Sequence, residues 1–224
     1  MKNRKLIIIG DSAFAEIARE YFDVDTNYEV VAFSVESPYL KRDQLQGLPV
    51  VAFETLDQLY SPFDHDIFVA ITYTQLNRLR ARFVSMAKGK GYALASYISP
   101  RAFLWRNVEV GEHCFVFEDN TLQPFVKIGD NVVLWSGNHI GHHSIVRSNC
   151  FISSHVVISG FCDIGENSFL GVNCTLFNNV AIGKDNWIGP GVTISQSTEP
   201  AALYSAQESE RSRVSTLRFF RIRE

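Results

Sequence analysis

The sequence predicts a small α/β domain with a mostly parallel sheet, followed by a three-sided solenoid. Across residues 98–194 every sixth residue is a branched aliphatic: Ile98, Leu104, Val110, Val116, Leu122, Ile128, Leu134, Ile140, Val146, Ile152, Ile158, Ile164, Leu170, Leu176, Ile182, Ile188 and Ile194. A longer period of 18 lies over the six. Val110-Gly111-Glu112, Ile128-Gly129-Asp130, Ile164-Gly165-Glu166 and Ile182-Gly183-Lys184 recur in phase, with Arg147 in place of Gly at one beat. Three six-residue sides and a repeating corner make one coil. Each coil buries its apolar face only against its neighbours. Ahead of residue 98, short apolar runs alternate with helical patterns, the signature of an α/β layer.

In the first part, residues 5–9 are a continuous apolar run, as in a parallel strand buried on both faces. Phe14, Ile17, Ala18, Tyr21 and Phe22 then fall on one helix face, with Asp11 or Ser12 as N-cap. Strands are expected at 29–35, 49–53 and 66–71, and a short helix at 54–60. Leu76, Leu79, Phe83 and Met86 line one side of a further helix, with Arg78, Arg80 and Arg82 pointing elsewhere and Gly89 ending it. Residues 93–98 lead into the solenoid. The expected division is 1–97, 98–197 and a tail at 198–224. In the tail, 196–212 is rich in Ser, Glu and Ala and reads as mobile. Arg211, Arg213, Arg218, Arg221 and Arg223 flank Leu217, Phe219, Phe220 and Ile222, as an edge strand or a docking segment.

In the solenoid, the residue four after each aliphatic is small or medium: Cys114, Asn120, Val126, Val132, Asn138, Ser144, Cys150, Val156, Cys162, Ser168, Cys174 and Val180. These suit a second, tighter inward position. The four cysteines share that phase and read as reduced packing residues. None forms a Cys-x-x-Cys pair, so zinc or redox chemistry is not expected. The recurring glycines read as corners needing unusual backbone geometry.

A formal net charge of −3 argues against a nucleic-acid binder driven by phosphate contacts. No apolar run approaches the ~18 residues of a membrane span. The N-terminus is basic then apolar, but the run is short and enters Gly10-Asp11-Ser12 and a helix. It reads as the first strand of a cytoplasmic protein.

Two regions carry candidate chemistry. Ligands of α/β sheets sit beyond the carboxyl ends of the strands, here Gly10, Asp11, Ser12, Ser34, Glu36, Thr72 and Tyr73. The helix near Ser12 would offer N–H groups to a diphosphate. A single glycine stands where a dinucleotide fingerprint has three, so NAD is not expected. A ligand-free scaffold is the other reading of this part. Among the histidines, His65 reads as a solvated loop residue, His113 as a turn residue and His155 as surface packing on a flat side. His139, His142 and His143 cluster. Ile140 and Ser144 point inward, so His142 or His143 must face out. No carboxylate or cysteine completes a metal set within the cluster. An exposed imidazole suits proton transfer near pH 7.

This domain order and repeat phase, over about residues 4–197, resemble the hexapeptide-repeat sugar O- or N-acyltransferases of the sialic acid O-acetyltransferase type. The resemblance implies a Rossmann-like domain followed by a left-handed parallel β-helix, in a homotrimer with acetyl-CoA bound between adjacent β-helices. The family's histidine–acid pair, preceded by a small-Gly pair (here Ser136-Gly137), maps onto His142. His143 fills the acid's place, so His139 or a nearby acidic side chain, including one of a neighbouring subunit, is the expected partner instead. The candidate catalytic residues are therefore His142, His143 and His139. Acetyl-CoA contacts are expected at Phe151, Gly171, Val172, Gly189 and Pro190. Nucleotide-sugar contacts are expected at Gly10, Asp11, Ser12, Glu36 and Asn138. The family's Gly-x-Gly-Gly run is lost, and its acidic pair survives only as Glu36.

The expected activity is acetyl transfer to a sugar, foremost the amine of a nucleotide-linked amino sugar in bacterial surface-polysaccharide biosynthesis, with no metal. Trp135 and Trp187 on flat sides suit trimer packing. An O-acetyltransferase of the sialic acid type and a non-catalytic β-helix binding protein are the alternatives.

Overall fold

The structure, a computed structural model, describes residues 2–222. Arg223 of the basic tail lies outside the described residues. The first sheet contains β1 (Arg4–Ile9), β2 (Tyr28–Val35), β3 (Gln44–Leu45), β4 (Leu48–Ala52), β5 (His65–Val69) and β6 (Ala93–Leu94). Their order is β3-β4-β2-β1-β5-β6, parallel except for the β3–β4 hairpin. The apolar run of β1 is buried on both faces. Leu6 and Ile8 join the cluster of helix α1 (Ala13–Asp25), while Ile7 and Ile9 join that of helix α3 (Arg78–Gly89). The short helix expected at 54–60 is a 3₁₀ turn, Phe53–Thr55, running into α2 (Leu56–Leu59).

The solenoid has three parallel sheets. The first side stacks strands from Tyr97–Ile98 to Trp187–Ile188 and Leu203–Tyr204; the second, from Phe103–Leu104 to Thr193–Ile194; the third, from Glu109–Val110 to Ala181–Ile182. These parallel sheets fit a left-handed β-helix preceded by an α/β region. From Val116 onward the six-spaced aliphatics are buried together with the residues four later, among them Cys150, Cys162 and Cys174; Cys114, just before, is buried too, and all four cysteines are free. Burial pushes the Cys114 thiol up to about 11 and those of Cys150 and Cys174 to about 12, so they stay protonated. Fully burying one such aliphatic contributes roughly 1.5–3 kcal/mol, and the repeat does so in each coil after the first.

Several expectations are corrected. The glycines of the 18-residue period serve close approach rather than an unusual φ. A Cβ on Gly129 would stand 2.7 Å from the amide nitrogen of Ser148 in the next coil. The left-handed position falls two residues later, at His113, Asn131, Asn149, Asn167 and Asp185. Arg80 does not point outward. It is fully buried, and its guanidinium donates to the carbonyls of Thr72 (2.6 Å), Asn149 and Cys150 (both 3.2 Å) and to Asn131 Oδ1 (3.0 Å). His65 is not solvated. It begins β5, buried, with Nδ1 2.9 Å from the carbonyl oxygen of Ser61. His155 sits at a corner with φ +57°, not on a flat side.

Trp135 and Trp187, both half-buried, are engaged within the chain. Both pack in the cluster joining the first side to α1, Trp135 stacked on Phe117 at 4.5 Å and Trp187 on Phe169 at 3.9 Å. The end of the chain also differs. Leu203–Tyr204 pairs with Trp187–Ile188 as a further rung, inside the stretch expected to be mobile. Thr216–Phe219, expected as an edge strand or docking segment, is an exposed helical turn, α4.

Candidate active site

At the carboxyl ends of β1, β2 and β5 lies a pocket of about 600 Å³ lined by Gly10, Asp11, Ser12, Ser34, Glu36, Tyr39, Thr72, Gln75 and Arg82, among others. It sits where the strand order reverses, with β2 on one side of β1 and β5 on the other, the usual ligand position in such sheets. Gly10 has φ +116°, and a Cβ there would stand 2.9 Å from the carbonyl oxygen of Ala70. Only glycine lets β1 enter the turn this close to β5. Ser12 takes the N-cap position of α1 without a side-chain cap bond, which leaves its hydroxyl free for a ligand.

Four of the expected nucleotide-sugar residues, Gly10, Asp11, Ser12 and Glu36, thus come together. Two residues change the chemistry. Arg82, expected to point elsewhere, lines the pocket and donates to both oxygens of Glu36 at 2.7 and 2.9 Å. That fork lowers the Glu36 carboxyl below its ordinary range, against an opposing effect of burial. Asp11 lies 3.4 Å from Arg42. Ser34 Oγ, buried in the pocket wall, finds no partner among the described residues. Tyr73 turns away from the pocket to Phe169, at 4.7 Å between ring centroids.

Asn138 does not fit a substrate role. It is buried, its amide donates to the carbonyl of Trp135, and its Oδ1 accepts from the N–H of Val156 at 2.8 Å. Its polar atoms are spent bracing the corner.

His142 and His143 lie exposed at the corner between the second and third sides. The ring of His142 rests on the next coil. A Cβ on Gly160 would stand 2.8 Å from its Cε1 and 2.9 Å from its Nε2, so this glycine permits the close approach. The N–H of His142 donates to Oε1 of Gln123 at 3.0 Å. Its Nδ1 lies 3.2 Å from Nδ1 of His143. His143 is sandwiched between Phe125 (4.5 Å) and Phe161 (4.8 Å), aromatics at the same corner of the flanking coils. His139 stands on the second side in register with Thr121 and Val157. No hydrogen bond or ring contact joins it to His142 among the described residues.

The expected acetyl-CoA residues divide. Gly171, Val172, Gly189 and Pro190 meet at the corner between the first and second sides, where a Cβ on Gly171 would lie 2.5 Å from the nitrogen of Pro190. Phe151 is separate and buried. Its ring faces the α/β domain, 5.2 Å from that of Tyr73, and cannot reach a ligand at that corner.

Residues 125–160, which include the paired imidazoles, match the family model "Bacterial transferase hexapeptide (six repeats)". This part of the solenoid, residues 125–160, matches bacterial-transferase hexapeptide repeats. The whole architecture is similar to that of the acetyltransferase domain of PglB from Neisseria gonorrhoeae FA1090, with a TM-score of 0.81 at 24% identity over 90% of this chain and 96% of that one. A His-to-Asn mutant of perosamine N-acetyltransferase from Caulobacter crescentus, in complex with CoA and GDP-perosamine, matches with a TM-score of 0.80 at 25% identity, over 89% of this chain and 92% of that one. WeeI from Acinetobacter baumannii AYE matches with a TM-score of 0.68 at 18% identity, over 89% and 95%. At 89–90% of this chain, these matches span both its α/β part and its solenoid. No described helix is long and apolar enough to cross a membrane.

Proposed function

We propose that this protein transfers an acetyl group from acetyl-CoA to the amine of a nucleotide-linked amino sugar. The observation that carries the reading is the likeness to perosamine N-acetyltransferase along nearly the whole chain. The geometry supports it independently: a pocket suited to a nucleotide and an exposed imidazole backed by glycine. In this reading residues 1–97 form a Rossmann-like domain, favoured by the parallel order β4-β2-β1-β5-β6. Residues 98–197 form the catalytic left-handed β-helix, and 198–224 follow it.

The nucleotide lies in the pocket, its diphosphate at the N-terminus of α1. His142 accepts the proton as the amine attacks the thioester. Holding both substrates in one cleft removes much of the entropic barrier. The α/β domain covers the first side, whereas His142 projects from the opposite corner. One chain therefore holds its pocket and its base on opposite faces. A cytoplasmic homotrimer brings the pocket of one copy to the imidazole of the next. The same cleft brings in Gly171, Val172, Gly189 and Pro190 as acetyl-CoA contacts.

The test is thiol release from acetyl-CoA with a panel of acceptors. Transfer to a nucleotide-linked amino sugar, and not to a free sialic acid, is the expected result. Transfer to a sialic acid hydroxyl would replace the N-acetyl reading. Failure of saturating CoA to raise the melting temperature would oppose any CoA-dependent activity.

A further inference from the structure

We propose that His143 is a positioning residue that sets the tautomer of His142 and replaces a carboxylate in that task. The inference rests on the reading of His142 as the base. The two Nδ1 atoms lie 3.2 Å apart, and a neutral pair has one hydrogen to place between them. If His142 Nδ1–H donates to His143, the His142 Nε2 carries a lone pair and can take a proton. If His143 donates instead, the hydrogen of His142 sits on Nε2 and the ring is inert as a base there.

The rings are held for this contact. Phe125 and Phe161 stack on His143 with interplanar angles of 29° and 17°, fixing its plane. His142 stands at 88° to it. The groups packed on the pair are Gln123, Phe125, Gly160 and Phe161. None of these groups, all from the same chain, is titratable.

The step balances as follows. The amine nitrogen bonds to the thioester carbonyl carbon and gives its proton to His142 Nε2. The carbon–sulfur bond breaks with its electron pair on sulfur, and the imidazolium returns the proton to that thiolate. The products are an acetamide and CoA thiol. A neutral partner stabilises the imidazolium less than a carboxylate would, so activity persists to lower pH than with an acid at position 143.

The full-length protein is assayed as wild type, His143→Phe and His143→Glu. Phenylalanine already occupies this corner with positive φ at Phe125 and Phe161, so His143→Phe keeps the stack and loses only the acceptor. Its kcat should fall about tenfold or more, with KM for both substrates little changed. His143→Glu should move the acid limb of the kcat/KM profile up by about one pH unit. Ring ¹⁵N NMR of the wild type above that limb should show hydrogen on His142 Nδ1 and a bare Nε2. A wild-type rate and pH profile in His143→Phe, or Nε2–H on wild-type His142, would overturn the proposal. The NMR and the His143→Glu profile decide it even if His143→Phe misfolds. Wild-type turnover in His142→Ala would overturn the base reading instead, and the NMR distinguishes that failure from this one.

Discussion

The Nε2 of His113 accepts the backbone N–H of Val69 at 2.8 Å. A corner of the solenoid thereby completes the hydrogen bonding of β5 where β6 is too short to reach. Nδ1 faces Asn131 Oδ1 at 2.9 Å, and the ring stacks on Phe68 at 4.9 Å. An acceptor at Nε2 requires the neutral imidazole. Burial, with the charges of Arg80 and Lys88 adding to it, pushes the His113 pKa down to about 3. A base with a depressed folded pKa contributes stability that is complete above its unfolded pKa of about 6.5 and is lost as pH falls toward the folded value. Guanidinium unfolding should therefore show stability falling between pH 7 and pH 4. His113→Gln should lower stability at pH 7 and flatten that slope.

Arg80 tests the same junction through its charge. Among the described residues no carboxylate contacts it. Carbonyls of both parts of the chain satisfy it, and burial lowers its pKa only to about 10, so it stays charged at neutral pH. Arg80→Leu would strand several buried carbonyl oxygens. The expected cost is about 2–4 kcal/mol, since leaving buried acceptors unmade is expensive. A heat-unfolding midpoint within a degree of wild type would mean that the guanidinium is dispensable.

At the proposed nucleotide pocket, Gly10→Val places a branched side chain against the Ala70 carbonyl in a backbone conformation that suits glycine. Titration calorimetry should show nucleotide-sugar affinity reduced at least about tenfold, a loss of some 1.4 kcal/mol. CoA affinity should hold, because its proposed contacts lie on the solenoid.

Most of the solenoid was legible because its signal is local and repeated. Each inward aliphatic and each tighter position four residues later follows from the period alone. The last rung was hidden because residues 195–202 break that spacing before Tyr204 packs on the core. Arg80 was misread because a helical pattern puts charges outward, and several of the oxygens that bind it come from coils 51–70 residues further along. At the site, the exposed imidazoles followed from the inward phase of Ile140 and Ser144. Phe151 was misplaced because it precedes an inward position and so faces out, but out of the first side is into the α/β domain. Asn138 lay at an inward position, where the corner backbone uses up its polar atoms.

The central claim is that each active site joins the pocket of one copy to the His142 of another. His142→Ala and Gly10→Val, each nearly inactive alone, should complement when co-expressed with separate tags and purified as mixed assemblies. Each mixed cyclic trimer keeps both parts intact at about one of its three sites, so acetyl transfer by the purified mixed assemblies should recover to about one third of the wild-type rate. Mixed assemblies no more active than either parent would contradict a shared site and return pocket and base to a single chain.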